Sequence, residues 1–133
     1  MFNSVRLLTL VASVGMAGGA AAQETGDAAA GEKIFRKCMA CHTIEDGAAN
    51  RVGPNLHNVV GRVAGSVAGF AYSDAVVTAG TNGLIWTPEE LSTFLEDPKT
   101  HLPGIKMTFA GLKKAQDRAD VVAYLLTQSP AAP

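Results

Sequence analysis

The sequence predicts a small all-α fold, rich in loop and assembled around a group that is not part of the chain. Three observations lead there. Apolar residues recur at helical spacing in four separate segments, and no stretch alternates apolar with polar residues as a half-buried strand would. Between Thr43 and Ala68 neither periodicity is sustained, and Gly47, Gly53, Pro54, Gly61 and Gly65 interrupt the run. The 133-residue chain is 47% hydrophobic but only 6% aromatic, so its own core is modest. A loop-rich chain of this size does not easily bury enough surface by itself, and a large apolar ligand inside the core is the physical expectation.

Residues 1–22 read as a cleaved export signal. Arg6 gives a positive start, "LLTLVASVGMAGGA" from Leu7 to Ala20 is an apolar run short for a bilayer span, and Ala20 to Ala22 fit a small-residue cleavage site before Gln23. A retained membrane anchor is the competing reading, and it would leave only Gln23 to Gly26 as a spacer before the folded part. Residues 23–133 then form one domain. Its first helix is capped by Asp27 and carries Gly31, Ile34, Phe35 and Cys38 at helical spacing, so it should end inside the cysteine motif. A short helix over Ser73 to Ala79 is capped by Ser73 and stopped by Gly80. Thr87-Pro88-Glu89-Glu90 is a capping box with proline in the first helical position, followed by Leu91, Phe94 and Leu95 on one face and a stop at Asp97-Pro98. The last helix spans Lys113 to Thr127, with Val121, Val122, Leu125 and Leu126 as its buried stripe, and residues 128–133 form a frayed tail.

The chemistry is concentrated in "KCMACHT", Lys37 to Thr43, which holds both cysteines of the chain. A redox dithiol in C-x-x-C usually sits on a βαβ scaffold, which is absent. A zinc site lacks its second half, since His42, His57 and His101 do not form a paired-ligand spacing with Cys38 and Cys41. The third reading is covalent haem attachment. Two thiols about one helical turn apart can add to the two vinyl groups of a porphyrin edge, and the adjacent His42 turns under the iron. Export agrees with that chemistry. A second axial ligand must come from further along; Met16 falls in the signal and Met39 lies inside the motif, which leaves Met107, His57 and His101.

The segments "GPNLHNVVGR" (Gly53 to Arg62), "AGFAYSDA" (Ala68 to Ala75), "LPGIKMTFAGLKK" (Leu102 to Lys114) and "DRADVVAYL" (Asp117 to Leu125) follow the cysteine motif in that order. Together they resemble the class I cytochromes c of the bacterial cytochrome c2 or c550 kind, over essentially all of residues 27–127. The resemblance implies the small loop-rich cytochrome c fold wrapped around one covalently bound haem c. It implies that Met107, in Pro-Gly-x-Lys-Met, is the sixth ligand opposite His42, and that His57 and His101 are ordinary surface or loop histidines. It further implies that the Pro54 carbonyl orients His42, that Arg62, Tyr72 and Trp86 hold the haem propionates, and that Gly31 and Phe35 cross the last helix against Val121 and Tyr124.

The chain departs from the family pattern in three places. Phe94 stands where a tyrosine is usual and Ile105 where a threonine is usual, which removes two hydroxyls from beside the Met107 sulfur and predicts a drier site. The stretch "TAGTNGLIW" is about three residues longer than the compact pattern and predicts a bulged surface loop before Trp86.

Removing residues 1–22 takes away Arg6 and no acid, leaving ten basic against twelve acidic residues and a formal charge of −2. That balance excludes an ordinary nucleic-acid binder. By the resemblance, Lys37, Arg51, Lys99, Lys106, Lys113 and Lys114 ring the exposed haem edge and would dock acidic redox partners transiently. With both axial positions filled and no catalytic constellation in view, the expectation is a monomeric, soluble, periplasmic one-electron carrier, not an enzyme, with no stable membrane insertion after cleavage. It would run between a quinol-oxidising bc1-type complex and a terminal oxidase or photosynthetic reaction centre. The competing expectation is a haem enzyme or a gas- or peroxide-reactive sensor in which Met107 detaches.

Overall fold

The computed structural model describes residues 25–133, so the segment 1–22 read as an export signal lies outside the described residues. Helix α1 spans Ala28–Phe35, and the Asp27 carboxylate accepts from the N–H groups of Ala29 (2.8 Å) and Ala30 (3.2 Å). It crosses α5, Ala115–Thr127, at Gly31. A Cβ on Gly31 would lie 2.5 Å from the Asp120 carbonyl carbon and 2.9 Å from the Tyr124 Cβ, so only glycine permits this approach. Beside the crossing the Phe35 and Tyr124 rings meet at 5.2 Å, and Phe35 and Val121 are among the most deeply buried side chains. Asp120, itself buried, accepts from the Asp27 N–H and from Gln116 Nε2, both at 2.8 Å, which pins the start of α1 to α5.

The helix ends at Phe35, short of the cysteines that the spacing placed in its last turn. Residues 36–41 continue as successive turns, with Cys38 N–H donating to Phe35 C=O and His42 N–H to Cys38 C=O. The backbone thereby stays coiled through the motif while leaving the helix axis.

Helix α2 spans Asp74–Thr81 and runs through Gly80, which the sequence reading made its stop. Gly80 is there for a different reason: a Cβ would lie 2.9 Å from the Ala64 carbonyl carbon. The extra residues of "TAGTNGLIW" do not bulge outward. They complete α2, turn at Gly83 (φ +92°), and pair back through Ala64 N–H to Leu84 C=O, Trp86 N–H to Arg62 C=O, and an isolated bridge between Val63 and Ile85. That bridge is the only β pairing among the described residues.

Helix α3, Pro88–Glu96, starts at Thr87, whose hydroxyl accepts from Glu90 N–H at 3.1 Å. The box is only half made, because the Glu90 side chain turns instead to His101. A fourth short helix, α4, spans Pro98–His101 with Asp97 as its cap. The sequence reading ended α3 at Asp97-Pro98 and gave no helix after it; proline is welcome in a first turn, so the same residue that stops one helix starts the next.

The tail is held, not frayed. Ser129 is buried, its hydroxyl donating to Leu125 C=O (2.7 Å) and accepting from Val60 N–H (3.3 Å). Ala131 N–H donates to Asn58 Oδ1 (3.1 Å), and Asn58 N–H donates to Gln128 C=O (3.0 Å). Asn58 adopts a left-handed φ of 59°, a conformation asparagine tolerates and which aims its side chain at the tail.

Candidate functional site

The elements surround a cavity of about 630 Å³ that is lined mostly by apolar side chains. Phe35, Val121 and Leu125 reach it from the α1–α5 crossing, Leu91, Phe94 and Leu95 from α3, and Val59 from the loop that the tail holds. A core hollow enough to take a drug-sized ligand is what the shortage of aromatic side chains anticipated.

One part of its lining is the cysteine motif. Cys38, Cys41 and His42 all face the cavity. Gly53 and Pro54 fix the imidazole: a Cβ on Gly53 would lie 2.7 Å from His42 Nδ1 and 2.8 Å from Nε2, and Nδ1–H donates to the Pro54 carbonyl at 2.7 Å. With Nδ1 committed, Nε2 keeps the free lone pair that a metal needs. Burial pushes the His42 pKa down, against the Pro54 hydrogen bond that raises it, and the Arg62 charge lowers it further. Burial, the largest effect, and the Arg62 charge both serve a neutral, ligating imidazole. Burial pushes the Cys38 thiol up to about 11, partly offset by Lys37. A thiol with that value is a poor thiolate nucleophile, which does not suit a free redox dithiol.

A second part of the lining comes from Ile105, Lys106, Met107, Thr108 and Phe109, the segment after α4. Phe94 and Ile105 both face the cavity together with Met107, so the two positions that lost hydroxyls do border the site. Phe94 packs on Trp86 with ring centroids 4.9 Å apart.

Arg62, Tyr72 and Trp86 line the same cavity. The Arg62 guanidinium donates to His57 C=O (3.1 Å) and Asn55 C=O (3.2 Å), and burial lowers its pKa. A cation held that far from water by two neutral carbonyls has no carboxylate partner among the described residues, and an anionic group of a ligand would satisfy it. The Tyr72 hydroxyl accepts from Val67 N–H at 3.0 Å and retains its proton for donation. Two thiols, one imidazole nitrogen, one thioether, an unpaired cation and a phenol around an apolar hollow make a donor set that fits a haem with acidic side groups.

The cytochrome c family model matches residues 28–129, which takes in the whole of that cavity's lining. The chain belongs to the cytochrome c family. It is 54% identical over 99 residues to cytochrome c2 of Afifella marina, covering 74% of this chain and 80% of that one. Cytochrome c-550 of Ancylobacter novellus is 48% identical over 99 residues, 74% of this chain and 92% of the relative. The solved cytochrome c2 of Rhodospirillum centenum superposes with a TM-score of 0.76 at 44% identity, over 79% of this chain and all of that one. As a cytochrome c the chain carries covalently bound haem c and has an electron-transfer role.

Every site residue read from the sequence therefore reaches one cavity. His57 and His101 do not line it. They are not idle surface histidines either: His57 Nδ1 bonds Ile44 C=O at 3.2 Å, and His101 Nε2 bonds Glu90. Asn55 was missed as well; its side chain ties Thr43 Oγ1 (2.8 Å) and Glu45 C=O (3.0 Å) while its carbonyl receives Arg62. The Gly-Pro-Asn sequence inside the non-periodic run was the available signal for a polar clasp of this kind.

Proposed function

We propose that this cytochrome c is a soluble, periplasmic, monomeric one-electron carrier with haem attached through Cys38 and Cys41 and iron held between His42 and Met107. The observation that carries the reading is that the motif cysteines, an imidazole with Nδ1 already committed, and Met107 border a single apolar cavity. Once bound, the haem supplies reversible one-electron exchange between ferrous and ferric iron. The chain's residues do the rest. Pro54 fixes the tautomer and direction of His42, Met107 would supply the second ligand to the iron, and Arg62, Tyr72 and Trp86 would hold the propionates. Phe94 and Ile105 bring no hydroxyl to their positions beside Met107, and the mostly apolar lining would keep water out.

Lys37 and Lys106 lie at the cavity, and Arg51 is beside it, its guanidinium on Met39 C=O at 2.8 Å. These cations support an acidic docking partner near the haem edge. Lys113 contributes less, because Asp97 sits 3.6 Å from its ammonium. A bc1-type donor and a terminal oxidase or photosynthetic reaction centre as acceptor fit such a carrier, with export directed by residues 1–22. No helix among the described residues is long and apolar enough to cross a membrane.

The test is the weak ferric absorption band that reports iron bound to methionine sulfur, recorded on holoprotein before and after Met107→Ala. The band is expected in the parent and lost in the variant. A parent without it would point instead to an open or bis-histidine iron, and to a haem enzyme or sensor.

A further inference from the structure

The segment that carries Met107 is held at its ends. Among the described residues, no backbone hydrogen bond falls on residues 106–111; the flanking ones are Ile105 N–H to Leu102 C=O (3.4 Å) and Leu112 N–H to Leu95 C=O (2.7 Å). Lys106 Nζ reaches the carbonyls of Ala71 and Tyr72 only at 3.4 and 3.5 Å. The later end is fastened to α3 again by Lys113, whose ammonium donates to Glu96 C=O at 2.8 Å. The earlier end is α4, a helix of four residues that cannot hold a position by its own hydrogen bonds.

Besides its Asp97 cap and the buried Pro98, α4 is fixed by a side-chain tie. His101, its last residue, bonds through Nε2 to Glu90 Oε1 at 2.5 Å, bridging from α4 back to the first turn of α3. The His101 ring also stands edge-on to Phe94 with centroids 6.2 Å apart, and Phe94 packs on Trp86 at the cavity. Five residues separate His101 from Met107, with a turn at Gly104 (φ +94°) among them.

We propose that His101 and Glu90 are positioning residues that hold the Met107 segment closed over the iron. The inference rests on the reading of Met107 as an axial ligand. The pair acts through α4, and neither residue lines the cavity. Breaking it leaves the closed arrangement intact but less favoured, so an external ligand that needs Met107 displaced should bind more tightly by the factor lost. The side chains are 24% and 28% exposed, which screens the interaction well below a fully buried charged hydrogen bond. The expected factor is about three- to tenfold.

The experiment uses ferric holoprotein and imidazole as the external ligand, at one pH and ionic strength, in the parent and in Glu90→Gln, His101→Asn and His101→Gln. Glutamine places an N–H where His101 Nε2 is; asparagine reaches only the Nδ1 position. Imidazole affinity should rise about three- to tenfold in His101→Asn, less in Glu90→Gln, and return near the parent in His101→Gln. The methionine band without imidazole should persist in all four. Global stability in denaturant, followed on the same proteins, should fall by a similar factor, because the unfolded chain lacks the tie as well. Unchanged affinity in both His101→Asn and Glu90→Gln overturns the proposal, and a loss of global stability without any rise in affinity assigns the pair a merely structural role. A parent with no methionine band removes the Met107 reading and the proposal with it; a parent with the band and unmoved variants removes the proposal alone.

Discussion

Gly31→Ala sets two effects of opposite sign against each other at one position. Alanine is a better helix former than glycine by about 1 kcal/mol, so on α1 alone the change would stabilise. At the crossing the new methyl would lie 2.5 Å from the Asp120 carbonyl carbon and 2.9 Å from the Tyr124 Cβ, against a comfortable separation of about 3.5 Å. The obstacle is backbone of the facing helix and the root of a side chain, so no rotamer change relieves it. The helices must part by about 1 Å, and a gap of that size forfeits a quarter to a half of the dispersion energy across it. Phe35, Tyr124 and Val121 all lie at this seam, and overpacking of this kind typically costs about 1–3 kcal/mol before such losses are added. The net effect is a loss of about 2–4 kcal/mol, which for a domain of this length lowers Tm by about 10–20 °C. Thermal unfolding of the holoprotein, followed by far-UV circular dichroism, measures it. A Tm equal to or above the parent's would refute the close-crossing argument. Gly31→Leu should go further and prevent stable folding.

Ser129→Ala removes the hydroxyl that the buried Val60 N–H donates to and should cost about 1–2 kcal/mol in denaturant unfolding, whereas a frayed tail would give no change. The Asp97 carboxyl is held below its ordinary value, first by its hydrogen bonds with Thr100 and then by Lys113. Because the folded value is the lower one, this contribution is fully present above the ordinary value of 3.8 and is lost as pH falls through the folded one. Asp97→Asn should therefore be less stable than the parent near neutral pH, with the difference shrinking below about pH 4 in a pH series of urea melts.

Local signals made most of this fold legible. Asp27, Ser73 and Thr87 cap the helices they were expected to cap, because capping is decided by a residue and the backbone two or three positions on. The cavity-lining donors were legible for a different reason: C-x-x-C-H and the segments that follow it are constrained by one ligand, so their spacing survives in the chain. What the sequence concealed depends on partners far along the chain. Gly80 looks like a helix stop until Ala64 is seen against it, and Ser129 looks like loose tail until Val60 is. Glu90 completes a capping box in sequence, but His101, eleven residues on, competes for its carboxylate and takes it. The end of α1 before the cysteines is likewise set by where the motif must present its thiols and not by helix propensity.

The way α5 is fastened has a consequence for how the molecule opens. Its middle receives α1 through Gly31 and Asp120, which holds the approach to the cysteine motif. Its last turn and the residues after it receive Asn58 and Val60, which lie just before Arg62. Detaching α5 therefore releases two sides of the cavity in one step, although those sides are made by separate stretches of chain. Amide hydrogens of α1, α5 and residues 58–60 belong to one cooperative unit and should exchange with solvent at a common, slow rate. The segment around Met107, which shares no backbone hydrogen bond with that unit, is free to open without it.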